Sequence, residues 1–319
     1  MRLALAGDTM LGRGVGERLG EARPGSLFAA EVIDAVRAAD LCLANLECCI
    51  SERGAPVPGR VFHFRAPPAA AAALAELGVD CVTLANNHAL DFGPVALLDT
   101  FEHLRAAGIR WVGAGRDERE ARAPAVVEAA GERLRVVALS DHPAEYAAAA
   151  GRPGIAFADL ERGGPPDWLR PAVGDGVPDP LLVLAHWGPN MTRAPTPPVR
   201  RAAVALERGG ATLVAGHSAH VFHGVAGRVL FDLGDFVDDY RVDPLLRNDL
   251  GLLWFVDLDG GRPVGLEALP LKLDHCHTRV AEGDDTAWIA RRLIDACAAL
   301  GTSARQRDGR LSVDLSPVG

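Results

Sequence analysis

Seven short apolar runs recur along the chain, and each ends in residues able to carry charge or protons. Leu-Ala-Leu-Ala-Gly at 3–7 leads to Asp8, Leu-Cys-Leu-Ala at 41–44 to Asn45 and Glu47, and Cys-Val-Thr-Leu-Ala at 81–85 to Asn86, Asn87, His88 and Asp91. The runs at 135–140, 181–185, 211–216 and 228–234 lead in turn to Asp141 and His142, to His186 and Trp187, to His217 and His220, and to Asp235. Such uninterrupted runs are what strands covered on both faces require. Helical stretches are predicted between them at 68–78, 93–107 and 198–209. Strand alternating with helix predicts an α/β sheet with right-handed crossovers, and the carboxyl ends of its strands form the ligand-binding edge. Asn86-Asn87-His88 therefore reads as one corner of a shared site. A set of unrelated helix caps would rarely choose so many histidines, since His is not a preferred cap.

Two further patterns qualify the picture. Val-Glu-Ala-Ala-Gly-Glu-Arg-Leu-Arg-Val predicts a hairpin turning at Gly131-Glu132, and Leu250–Gly261 predicts a hairpin arm with Asp259-Gly260-Gly261 as its turn. Residues 285–300 read as a helix ending near Gly301. Hairpins mixed with crossovers suit two stacked sheets with helices outside, and residues 1–319 are expected to form a single domain.

Composition narrows the partners. The 319 residues are 49% hydrophobic and 24% charged, as in a soluble globular protein. No run of 18 apolar residues exists, so no transmembrane helix is expected, and the N-terminus reads as a first strand instead of a signal peptide. A cytoplasmic protein without a membrane anchor is expected. The six cysteines lack zinc-ribbon spacing and should be reduced. A net charge of −9 argues against a nucleic-acid partner. Nothing in the sequence fixes an oligomeric state.

Carboxylate, amide oxygen and imidazole together suit a divalent cation, with Ca, Mn, Mg and Zn all compatible. Histidines beside such an ion can carry protons near neutral pH. The segments GDTMLGRGV, LANLE, FHFRAPP, LGVDCVTLANNHALDFG, AGIRWVGAGR, HWG, GHSAHVFHGV and LGDFVDD, in this order over residues 1–240, resemble the bacterial poly-γ-glutamate capsule-synthesis (CapA-type) family. That family resembles a branch of the calcineurin-like metallophosphoesterases. The resemblance implies a four-layer α/β/β/α sandwich with a metal site at the strand ends, completed by a C-terminal hairpin and helix over 250–319.

Residue by residue, the superfamily's Asp-x-His resembles Asp8-Thr9-Met10, which keeps the carboxylate and loses the imidazole. The segment that normally supplies a bridging Asp resembles Ala44-Asn45, with Glu47 nearby. Gly-Asn-His resembles Asn86-Asn87-His88, the lone histidine His186, and the closing Gly-His-x-His Gly216–His220, one residue longer. The resemblance thus implies Asp8, Glu47, Asn87, His186 and His217 as metal ligands. Loss of the bridging Asp points to one ion instead of two. Around it, His88 backed by Asp91 and His220 backed by Asp8 are the candidate acid/base pair. Arg65, Asn45, Trp187, His142 and Asp235 are candidates for substrate contact. A solvated loop is expected for Asp238, Asp239, Asp243 and Asp249, and His275 and His277 are a weaker metal motif, able to share one strand face.

Three functions fit. The first is a metal-dependent peptide epimerase, because relatives in ribosomal-peptide pathways resemble such enzymes and the family is tied to glutamyl polymers. The second is a metal-dependent hydrolase of phosphoester or amide bonds. The third is a non-catalytic capsule-synthesis scaffold. Either enzyme would take a peptide or γ-glutamyl substrate, or a phosphoester in the hydrolase case.

Overall fold

The computed structural model describes residues 1–21, 27–160, 166–169 and 179–315. The apolar runs form the centres of two sheets. In the first strand, Arg2–Thr9, side chains alternate between faces, as strand geometry demands. Ala4 and Ala6 enter one core and Leu3 and Leu5 another. Leu41–Leu46 repeats the pattern, with Cys42 and Ala44 on one side and Leu41 and Leu43 on the other.

The first sheet runs Ala304–Arg307, Arg310–Val313, Arg262–Asp274, Leu250–Asp259, Arg2–Thr9, Leu41–Leu46, Cys81–Thr83, Arg110–Val112. The second runs Val225–Ala226, Val229–Leu230, Leu213–His217, Leu181–His186, Glu132–Ser140, Ala125–Ala129. Both have parallel centres and antiparallel hairpins at an edge.

Three buried clusters define four layers. The helices Ala30–Arg37, Ala69–Leu77 and Gly93–Ala106 pack Val32, Leu74 and Phe101 against Ala4, Ala6, Cys42 and Ala44 of the first sheet. The opposite face of that sheet meets Val136, Ala138, Leu182, Leu184, Leu213 and Ala215 of the second. The second sheet's outer face, through Val137, Val183 and Val214, receives Val199, Ala202 and Leu206 of the helix Pro197–Arg208. The layers stack as α/β/β/α, the four-layer sandwich expected from the sequence. Each fully buried Leu or Phe in these layers contributes about 1.5–3 kcal/mol of transfer free energy. The three expected helices differ from the observed ones by a residue at most at each end, and the helix expected at 285–300 spans Gly283–Ala298. Among the described residues no helix is long and apolar enough to cross a membrane. All six cysteines are buried and unpaired.

The structure corrects the sequence reading at four places. The hairpin expected to turn at Gly131-Glu132 turns one residue earlier, because Ala130 and Gly131 adopt φ of 51° and 76°, the paired left-handed conformation of a tight two-residue turn. Residues 228–234 are not one strand. The Asp232 carboxylate accepts backbone N–H bonds from Ala219 (2.8 Å) and Gly234 (2.9 Å), and such side-chain bonds compete with a ladder. Only Val229–Leu230 stays in the second sheet. The chain then crosses over, and Asp235–Val237 pairs with the first strand. His275 sits in a turn between Asp274 and His277, so the two histidines do not lie on one strand face. Asp249 is buried, not solvated. Burial pushes its carboxyl up, but bonds from Arg247 and Lys272 outweigh that and hold it below the usual range.

The crossover depends on Gly7. A Cβ there would stand 1.8 Å from the Gly234 carbonyl oxygen, the same oxygen that accepts the Asp8 N–H at 2.9 Å. Backbone meets backbone here, and neither can yield cheaply. Gly7→Ala is expected to cost on the order of 3 kcal/mol, read as a lower urea midpoint with an unchanged slope. An unchanged midpoint would show that the crossover segment is loosely held.

Candidate active site

Strand register builds the site. Across the first sheet, Asn45, Asp8 and Asp235 are neighbouring partners on parallel strands. Across the second, Ser140, His186 and His217 are. Asn45, Asp8, Ser140, His186 and His217 lie at or next to the carboxyl ends of their strands, and Asp235 opens its own short strand beside Asp8, so carboxylates from one sheet face imidazoles from the other. The loop after Leu213–His217 completes the arrangement. Ser218 (φ 107°) and His220 (φ 58°) occupy the left-handed region that side-chain-bearing residues rarely adopt, a strain that clusters at functional sites. The turn aims the Ser218 N–H at Asp8 Oδ2 (3.3 Å) and the His220 Nδ1–H at Asp235 Oδ1 (2.9 Å) and Asp8 Oδ2 (3.2 Å). His217 Nδ1 lies 3.1 Å from Asp8 Oδ1.

Asn86 holds the opposite wall. Its side-chain oxygen accepts the His88 backbone N–H at 3.0 Å, and its amide donates to Asn45 Oδ1 and the Leu46 carbonyl. His88 Nδ1 donates to Asp91 Oδ2 at 2.6 Å, which leaves Nε2 3.9 Å from Glu47 Oε1. Asp91 is fixed in turn by Arg60, Tyr146 and the Phe64 N–H. Arg60 also bonds the Asn87 carbonyl and lies 4.4 Å over the Tyr146 ring.

Burial sets the electrostatics. It would raise Asp8, but bonds from His217 and His220 outweigh it and hold the carboxyl well below its ordinary value. Burial and then the Asp8 charge push Glu47 well above the carboxylate range. Asp232 rises to about 8 for the same two reasons. Burial raises Asp235 despite His220. Burial lowers His88 against the pull of Asp91, and burial followed by the nearby His142 lowers His186 further. His220 goes the other way. Burial opposes its charge, yet Asp235, Tyr240 and Asp8 raise it well above the ordinary imidazole value. The His220–Asp235 pair therefore keeps a proton.

The donor set fits a divalent cation. Asp8, Glu47 and His186 form one group of mutually close ligand atoms, and Asp8, His220 and Asp235 form another, all buried. Glu47 Oε1, Asn87 Oδ1, His186 Nε2 and Asp235 Oδ2 are buried without a hydrogen-bond partner among the described residues. Buried polar atoms are rarely left so. Glu47 Oε1 is 3.9 Å from both His88 Nε2 and His186 Nε2, a spacing compatible with atoms about 2.0–2.3 Å from a common ion. The expectation of one ion meets a complication here, because Asp8 belongs to both groups and can take the bridging place that Asn45 vacates.

Asp8, Glu47, His88, Asp91, His186, His217, His220 and Asp235 thus converge in one buried cluster. Asn45 does not face a substrate. It is fully buried, and its amide donates to Asp8 Oδ1 (2.8 Å) and Glu47 Oε2 (3.0 Å), linking the two carboxylates. Trp187 does not face this cluster either, although it lines a small separate cavity with His223 and Asp232. It is packed in the core under the Pro197–Arg208 helix, with Nε1 donating to the Phe231 carbonyl at 2.9 Å. Arg65 contacts the Phe92 ring and the carbonyls of Arg53 and Gly54 instead of this cluster. His142 lies at the rim, its ring 5.2 Å from that of His186. Asp238, expected in solvent, is buried beside Asp235, and burial raises it. Asp232 was not foreseen. The signal for it was the first aspartate of Phe231-Asp232-Leu233-Gly234-Asp235, hidden by reading the segment as one strand.

The family model described as bacterial capsule synthesis protein PGA_cap matches residues 2–240. A probable polyglutamine synthesis accessory protein of Mycobacterium tuberculosis is 34% identical, over 79% of this chain and 71% of its own length. The capsule biosynthesis protein CapA of Bacillus anthracis is 26% identical over 99% of this chain and 78% of its own. Among solved structures, a hypothetical protein from Thermus thermophilus superposes with a TM-score of 0.49 at 18% identity, covering 85% of this chain and 99% of that one. That likeness is too loose to add to the layers described above.

Stripping the protein with a chelator leaves the clustered acids without a cation to offset their charge. Its melting temperature should fall and recover on adding back Mn²⁺ or Ca²⁺. In Glu47→Gln the shift between stripped and reloaded protein should shrink by at least half. A melting temperature indifferent to both chelator and ion would refute cation binding here.

Proposed function

This chain belongs to the bacterial capsule synthesis protein family, and on that basis we propose a divalent-metal-dependent acid/base enzyme acting on a peptide-like chain. The relatives named for polyglutamine and capsule synthesis support a glutamyl polymer as the peptide. The observation that carries the reading is geometric. Two imidazoles, His88 and His220, each have Nδ1 tied to a carboxylate, Asp91 and Asp235, and both adjoin the same cluster of acids. Tying Nδ1 fixes the ring and its tautomer and leaves Nε2 to exchange the proton.

The reaction that this pairing serves best is proton exchange at a peptide Cα, ending in epimerisation. His88 Nε2 takes the Cα proton from one face, and the His220 imidazolium returns a proton to the other. One ring gains the proton that the other gives up, and solvent resets both. Asp91 and Asp235 hold the rings and stabilise whichever is charged. A divalent ion held by Asp8, Glu47, Asn87 and His186 would supply positive charge for the substrate's carbonyl oxygen. Asn45 holds Asp8 and Glu47 in place, and His217 steadies Asp8 through Nδ1.

A second reading, hydrolysis of a phosphoester or amide bond, draws on a separate observation. Asp8 is shared by both donor groups, and with Glu47, His186, His220 and Asp235 it would hold the ions that polarise a phosphoryl or carbonyl oxygen.

A glutamyl peptide incubated with the metal-loaded enzyme in D₂O should take up deuterium at Cα without cleavage. His88→Ala and His220→Ala should each slow the uptake about 100-fold. Uptake undiminished in both variants would overturn the acid/base assignment. Release of nitrophenol from its phosphate ester, with no deuterium uptake, would decide for the hydrolase.

A further inference from the structure

On the far side of the loop that carries His220 lies a second cleft, of about 470 Å³, lined by Arg193, Arg200, Trp288, Arg291, Arg292 and Asp295 among others. It runs between the helix Gly283–Ala298 and the segment that follows Trp187. Four guanidinium groups face one carboxylate, on a chain whose net charge is −9. None of the four forms an ion pair with a carboxylate among the described residues. Elsewhere this protein pairs its arginines readily, as at Arg2, Arg116 and Arg247.

Arg292 is the best defined. Its guanidinium lies 5.2 Å from the Phe222 ring and 5.4 Å from the Trp288 ring, contacts that hold its plane. Only one of its five donors has a protein acceptor among the described residues, the Phe222 carbonyl at 3.4 Å. Burial, followed by the charge of Arg193, pulls it down to about 10, so it lacks an anion that would offset both. A planar fork held between rings, with three more arginines around it, matches oxyanions in bidentate geometry.

We propose that this cleft is a binding site for a carboxylate-rich chain, in which Arg193, Arg200, Arg291 and Arg292 hold successive side-chain carboxylates. Asp295 at the rim disfavours a compact, highly charged ion more than a chain with spaced single charges. The cleft backs directly onto the catalytic loop. Arg292 bonds the carbonyl of Phe222, two residues beyond His220, and His223 Nε2 lies 2.8 Å from the carbonyl of Thr192, the residue before Arg193 of the cleft's other wall. A polymer engaged here would be held beside the site while another part of it reacts. The inference rests on the glutamyl substrate of the proposed function and adds where that chain is gripped.

Calorimetric titration of the full-length protein with a synthetic glutamate decamer tests it, with inorganic phosphate as a parallel probe. The decamer should bind wild-type protein, and its Kd should rise at least tenfold in Arg193→Glu/Arg291→Glu. Both positions are exposed, so this variant should fold, and Arg292→Ala supplies a second reading of the same cleft. No decamer binding, binding unchanged in the charge-reversed variant, or binding of phosphate alone would each overturn the proposal. Deuterium uptake is read separately. Exchange without decamer binding sinks the cleft alone, and decamer binding without exchange sinks the proton-transfer reading alone.

Discussion

Four carboxyl groups, those of Asp8, Glu47, Asp232 and Asp235, lie buried in one region where water cannot stabilise their charge. An ion isolated in such surroundings costs many kcal/mol, and like charges close together worsen the cost. The fold answers by surrounding Asp8 with donors and by leaving protons on the others. Two imidazoles and the Ser218 N–H point at Asp8, Ala219 and Gly234 N–H groups point at Asp232, and His220 shares its proton with Asp235. Glu47 keeps one oxygen without a partner among the described residues. A cation would replace the retained protons, which ties metal affinity to pH through these acids.

Much of this was legible along the chain. Apolar runs covered on both faces announced strands, and the polar residues ending each run announced the site. Parallel register then placed His186 beside His217 and Asp8 beside Asn45, which strand order alone implies once the carboxyl ends are aligned. The readings that failed share one cause. They assigned a residue a role from its chemical type, without knowing what its neighbours already offered. Trp187 next to His186 reads as a pocket wall, but successive strand residues face opposite ways, and that direction is the helix-covered core. Asn45 in a substrate role overlooked that two adjacent carboxylates would claim its amide first.

Asp232 and Asp238 were misread for a related reason. A single-strand reading of 228–234 leaves Asp232 as an ordinary interruption, and aspartates clustered near 240 look like a solvated loop. Only the crossover between sheets reveals otherwise. A carboxylate that bonds two backbone N–H groups bends the chain, and the bend delivers Asp235 and Asp238 inward. Local composition shows only half of such a route, because Gly234 is two residues from Asp232 but the other partner, Ala219, lies 13 residues away.

That route has a structural consequence of its own. Residues 229–237 contribute backbone to both sheets in turn, so a short covalent stitch ties the imidazole row to the acid row. Sandwich folds ordinarily hold such spacing through side-chain packing, which drifts as core residues are exchanged. Here the short peptide between Leu230 and Asp235 also limits how far the imidazole row and the acid row can part, whatever the volume of the core residues between the sheets.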